Sequence, residues 1–106
     1  MELTEFAALL GTLPYPVARD EFPKEINPTM PYITYSVTGT DNFKADNKVY
    51  QKVRKADISI YSAGCADEGA QTALEELLDN NDIPWEFEGE FDHDQYDYEV
   101  VYSVEI

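Results

Sequence analysis

Apolar residues recur at spacings of three and four in two segments of the chain and at alternate positions in four others. Leu3, Phe6, Ala7 and Leu10 share one side of a helix over Glu2 to Leu10, with Glu2, Thr4 and Glu5 toward water and Gly11 closing it. Pro14 and Pro16 restrict their predecessors to extended conformations, and a very short strand is expected at Val17 and Ala18. The proline-rich stretch from Phe22 to Pro31 reads as a loop. From Tyr32 to Thr38, Ile33, Tyr35 and Val37 alternate with polar positions, as a half-buried strand requires. Gly39 to Asn47 is rich in turn formers and links this strand to the next, expected from about Lys48 to Ser62. In that second strand Val49 and Val53 have one parity, whereas Ala56, Ile58 and Ile60 have the other. Either a bulge near Lys55 brings both sets inward, or the strand emerges from the core.

Ala70, Ala73, Leu74, Leu77 and Leu78 form the stripe of a second helix, capped by Asp67 or Ser62 and ended by Asn80, Asn81, Asp82 and Pro84. Gly69 weakens its first turn by about 1 kcal/mol relative to alanine, so the helix relies on packing. Trp85, Phe87 and Phe91 then share one parity and Glu86, Glu88 and Glu90 the other, which predicts a strand with an aromatic inner face and an acidic outer one. After a turn at Asp92 to Gln95, Tyr96, Tyr98, Val100, Tyr102, Val104 and Ile106 give the last strand the cleanest alternation in the chain. The order predicts an α+β fold in a single domain over residues 1–106: one antiparallel or mixed sheet of four to five strands, with two helices packed on one face.

Charge changes this picture more than any motif does. The net charge of -15 opposes binding to a polyanion or an anionic membrane, so neither nucleic-acid recognition nor a membrane partner is expected. Eight tyrosines, five phenylalanines and a tryptophan argue against disorder. The sole cysteine, Cys65, the acidic amino terminus and the absence of any long apolar run fit a domain that stays in a reducing compartment. Four of the seven basic residues, Lys48, Lys52, Arg54 and Lys55, cluster in the second strand. In so acidic a chain they are expected to meet acidic surface, within the molecule or on another copy.

Catalytic constellations are missing from the sequence, and no catalytic, cofactor or metal residue is assigned. The carboxylates alternate along exposed faces or sit in turns, whereas acid–base pairs need two distinct environments in one cleft. Asp92, His93, Asp94 and Asp97 mix metal-ligand types, but the spacing fails an EF-hand: counting from Asp92, the fifth position is Tyr96 and the sixth Asp97. Cation binding at Asp92, Asp94 and Asp97 is left open by charge density alone. Gly64 and Gly69 lack the lysine and hydroxyl of a phosphate loop, and one histidine with one cysteine makes neither a zinc site nor a marked thiol catalyst.

Several strings, in order, carry a resemblance: the helix ending Leu9, Leu10, Gly11; the strand Pro31 to Tyr35; Ala45, Asp46 and Asn47 leading through Tyr50; Ile58 to Tyr61; the helix Ala70 to Leu78; and the strand Tyr98 to Ile106. Over most of its length the chain resembles the small tail-terminator, or head–tail joining, proteins of long-tailed bacteriophages and prophages. The resemblance implies a non-enzymatic ring, commonly a hexamer, that caps the tail tube, stops its growth and docks to the head completion or connector protein. It further implies assembly in the bacterial cytoplasm and a place at the virion head–tail junction, with DNA passing through the ring. On that reading Lys48, Lys52, Arg54 and Lys55, together with Glu86, Glu88, Glu90, Asp97 and Glu99, lie across subunit contacts or line the channel. Asp41, Asn42 and Asp46 sit in a loop that orders against tube or connector. A competing expectation is an acidic inhibitor that mimics nucleic acid, since carboxylates at alternate strand positions repeat near ~7 Å.

Overall fold

In the computed structural model the alternating segments become a five-stranded mixed sheet and the two stripes become helices that close one of its faces. The structure describes residues 1–40, 43–45, 48–51, 53–94 and 97–106, with backbone alone for 43–45, 48–51 and 94. Asp41, Asn42, Asp46 and Lys52 lie outside the described residues, as does the side chain of Lys48. The chain runs α1 (Leu3–Leu10), β1 (Val17–Arg19), β2 (Tyr32–Thr40), β3 (Phe43–Ala45), β4 (Lys48–Gln51), β5 (Arg54–Ser62), α2 (Glu68–Asn80), β6 (Trp85–Asp94) and β7 (Asp97–Glu105). The main sheet has the order β1-β2-β5-β7-β6, while β3 and β4 form a two-stranded ladder of their own.

Both helices form where their stripes predict. Phe6 and Leu10 of α1 are fully buried, and the Gly11 amide donates to the Ala7 carbonyl where the helix stops. Asp67 provides the cap of α2, its Oδ1 accepting from the Ala70 amide at 2.9 Å. Ala70, Leu74 and Leu78 enter the same core as Phe6 and Leu10, against Ile33 and Tyr35 of β2, Ala56, Ile58 and Ile60 of β5, and Val100, Tyr102 and Val104 of β7. All of these strand residues share one parity in the paired register, so both helices cover one face.

Among the described residues, the crossover covers the opposite face of the sheet near β1. This strand pairs parallel to β2, with Val17 opposite Ile33, so residues 20–31 must cross over rather than turn back. The crossover lies against Tyr32, Thr34 and Tyr61, and Thr34 is buried there although it points away from the helices.

The second strand departs from its expected form. β5 alternates without interruption from Arg54, and the bulge near Lys55 lies on its partner, between Val37 and Gly39 of β2, rather than in β5 itself. The parity conflict arises because Val49 belongs to the separate strand β4 and Val53 to no strand. The connection from β2 to β5, expected as a turn, thus carries its own ladder. Among the described residues no helix is long and apolar enough to cross a membrane.

Candidate interaction surfaces

The edge strand β6 carries most of the acidic residues that the sequence singles out, and its geometry differs from the expected aromatic and acidic faces. Trp85 pairs with Val104 and Phe87 with Tyr102, which places both on the helix-covered face. The register then shifts: Phe87 and Gly89 stand opposite consecutive residues, leaving Glu88 as the extra one. One inserted residue reverses the parity of everything after it. Glu90 consequently falls opposite Val100 on the helix side, where its Oε2 accepts from the Tyr98 hydroxyl at 2.6 Å, and Phe91 falls opposite Glu99 on the other face. Phe87 and Phe91 are 48% and 49% exposed, so neither is the core aromatic that alternation predicts. Glu86, opposite Ser103, is on the face away from the helices.

Gly89 makes the shift feasible, with φ at 154°. Replacing it with alanine is expected to destabilise the fold by about 1–2 kcal/mol, because a Cβ disfavours that backbone region. The added methyl would meet only the Phe91 ring, at 3.6 Å, so the cost is conformational. Urea unfolding of Gly89→Ala measures it.

The sheet face without helices carries a connected row of polar aromatics that the sequence reading did not single out. The Tyr32 and Tyr61 rings stack with centroids 5.0 Å apart, His93 lies 6.5 Å beyond Tyr61, and Phe22 meets Tyr32 edge-on at 5.4 Å. An open cleft of about 370 Å³ lies where this row meets the crossover, lined by Phe22, Pro23, Ile26, Tyr32 and Tyr61 among others. The available signal was the placement of Tyr32 and Tyr61 at polar parity of their strands, where a large ring must find other rings.

Glu99 anchors the row. Its Oε1 lies 2.6 Å from His93 Nε2, and Ser59 and Tyr61 also bond to its carboxylate. Burial alone would raise its pKa, but these three bonds outweigh burial and hold it below the usual glutamate value. Burial, followed by the charge of Glu99 and the bond to it, pushes the Tyr61 phenol up to about 12. A carboxyl lowered in this way contributes stability that is present above its unfolded value and is lost as pH falls through its folded one. Glu99→Gln is therefore expected to be less stable than the parent at neutral pH, with the difference closing as the solution is taken below the ordinary glutamate range. Denaturant midpoints of both chains, from neutral to about pH 3, test this.

Two of the basic residues meet acidic groups of their own chain. Arg54 Nη1 lies 3.9 Å from Glu2 Oε2, and Lys55 stands opposite Glu105 in a cleft shared with Glu86 and Glu88. Asp97 begins β7, and its Oδ1 is enclosed with no hydrogen-bond partner among the described residues. Those residues hold no group of three or more metal-binding side chains, and the Asp94 side chain is not among them. No protein-family model matches the chain, and no curated protein is significantly similar to it.

Proposed function

We propose that the chain is a structural subunit of a phage or prophage tail, a terminator or head–tail joining protein that closes into a ring on the tail tube, stops its growth and receives the head completion protein. The observation that carries this reading is β6: a ten-residue edge strand with an unpaired outer side among the described residues, acidic along its length, with a half-exposed phenylalanine on each face. Long exposed edges of this kind pair with other chains unless they are blunted. Exposed aromatics within a charged rim are also what protein contacts use.

Acid–base catalysis finds little support beside this. Glu99 is a weaker base than a free glutamate and Tyr61 a weaker acid than a free tyrosine, the reverse of tuning toward neutral pH. For the nucleic-acid mimic, the shift at Glu88 divides Glu86 and Glu90 between opposite faces, whereas Asp97, Glu99 and Glu105 keep one face of β7. For a terminator, the excess negative charge has a use, since an acidic channel lets a duplex pass without arresting it.

Polymerisation of the cognate tail-tube protein with and without this chain tests the reading. Tubes are expected to stop at a short, defined length and to carry a terminal disc in electron micrographs. Tubes of unchanged length with bare ends would overturn it.

A further inference from the structure

We infer that the cleft between the crossover and the sheet is a docking groove for a basic, proline-rich segment of a partner protein, held in the extended polyproline II conformation. The contact stands apart from ring formation, since β2, which floors the cleft, lies toward the opposite edge of the sheet from β6. Tyr32, Thr34 and Tyr61 form the floor, on the sheet face opposite the helices, and Phe22, Pro23 and Ile26 form the wall. That wall is held at two points: the Asp20 amide donates to the Tyr35 carbonyl at 2.7 Å, and the Ile26 amide closes a turn onto the Pro23 carbonyl at 2.9 Å. Ile26 is the most exposed large apolar side chain among the described residues, at 53%, and it lines this cleft.

Ring chemistry selects the conformation of the occupant. Phe22, Tyr32 and Tyr61 stand in a row with centroids 5.4 and 5.0 Å apart, and aromatic-lined grooves of this kind receive polyproline II segments, which are preformed and lose little entropy on docking. Prolines bring carbonyl acceptors and no amide donors, so they match a groove that offers hydroxyl donors. The Tyr32 hydroxyl is such a donor, with no hydrogen-bond partner among the described residues. Burial, followed by the charges of Asp97 and Glu99, raises its pKa above the ordinary tyrosine value, so it keeps its proton. Charge selects the end groups: Asp20 and Glu21 line the cleft against one cation, Lys24, and the Glu99 carboxylate stays ionised beside Tyr61. Carboxylates around an aromatic groove favour a segment that carries arginine over one that carries acid.

Fluorescence anisotropy at physiological salt tests the groove, with a dye-labelled peptide of about ten prolines and an arginine at each end, so that either chain direction can dock. Saturable binding to the full chain is expected. A peptide of the same charge with glycine and serine in place of the prolines is expected to bind about tenfold more weakly, because it must be ordered on docking. Tyr32→Ala is expected to weaken binding of the proline peptide more than about tenfold, as loss of an aromatic anchor does. Circular dichroism checks its fold, and Ile26→Ser, at an exposed position, repeats the test with an expected loss of about fivefold. Asp20→Asn/Glu21→Gln is expected to cost about fivefold, and asparagine tolerates the positive φ of 63° at position 20. No saturable binding, equal binding of the glycine-serine peptide, or binding unchanged in both Tyr32→Ala and Ile26→Ser would each overturn the groove. Tube capping reads the terminator role separately, because none of these substitutions touches β6.

Discussion

A chain in which residues 41–53 are replaced by an Asn-Gly turn is expected to fold with nearly parental stability and to lose assembly. Thr40 pairs with Arg54 in the antiparallel register of β2 and β5, so a two-residue hairpin turn has the right span to join them. Among the described residues, every buried core residue lies outside this segment. Shortening the connection also lowers the loop-closure cost, so the net change in stability should stay within about 1 kcal/mol. Assembly is different, because the excised segment carries Lys48 and Lys52 and the whole of β4. Loss of one hot-spot contact of about 2 kcal/mol already weakens association about 30-fold, and an entire strand is removed here. Thermal unfolding and tube capping, measured on the same preparation, separate the two effects. Unfolding of the shortened chain, or capping at the parental level, would contradict this division of labour.

Tyr102→Ala is expected to have the opposite profile, with loss of the fold itself. Tyr102 is fully buried at the centre of β7, and the rings of Trp85 and Phe87 meet it edge-on at 5.5 and 5.6 Å. Its hydroxyl donates to Glu75 Oε2 at 2.5 Å and accepts from Gln71 Nε2 at 3.2 Å, which ties the sheet to α2. Truncating a buried aromatic costs about 3–5 kcal/mol, a large part of the ~5–15 kcal/mol that holds a domain folded. Tyr102→Phe keeps the ring and removes only the hydroxyl, so about 1–3 kcal/mol is expected from the two polar groups left without it. Burial, together with the bond to Glu75, raises the phenol's pKa well above the ordinary tyrosine value of 10.0. The neutral phenol therefore stabilises the fold at all pH values below 10 and loses that contribution as pH rises through its folded value. In urea unfolding curves the phenylalanine variant should accordingly lack part of the parent's alkaline destabilisation.

The parts of the fold legible in the sequence are those in which one parity or one helical stripe holds throughout. β7 is flanked on both sides by strands and alternates without a break, and α2 carries both its stripe and its capping Asp67. Illegible were the places where a single extra residue resets the phase. Trp85, Phe87 and Phe91 look in step along the chain, yet the inserted Glu88 sends Phe91 to the other face. The shift in β2 next to Gly39 was similarly misplaced onto its partner near Lys55, since the mismatch in parity does not say which strand holds the additional residue.

The candidate surfaces were legible as charge and not as geometry. The basic and acidic groups stand out in composition, whereas the pairing of Arg54 with Glu2 and of Lys55 with Glu105 depends on strand order. The row formed by Tyr32, Tyr61, His93 and Glu99 draws on four strands' worth of register, so spacing along the chain carries no trace of it. Edge position is itself a property of the sheet order: β6 reads as an ordinary strand until β7 is seen to separate it from β5.

The most direct test of assembly is the mass of the particle in solution, by light scattering over a concentration series, for the chain alone and with its tail-tube protein. A closed species of about six copies, formed alone or on the tube, is the expected result. A chain that remains monomeric under both conditions would contradict its reading as a ring-forming structural subunit.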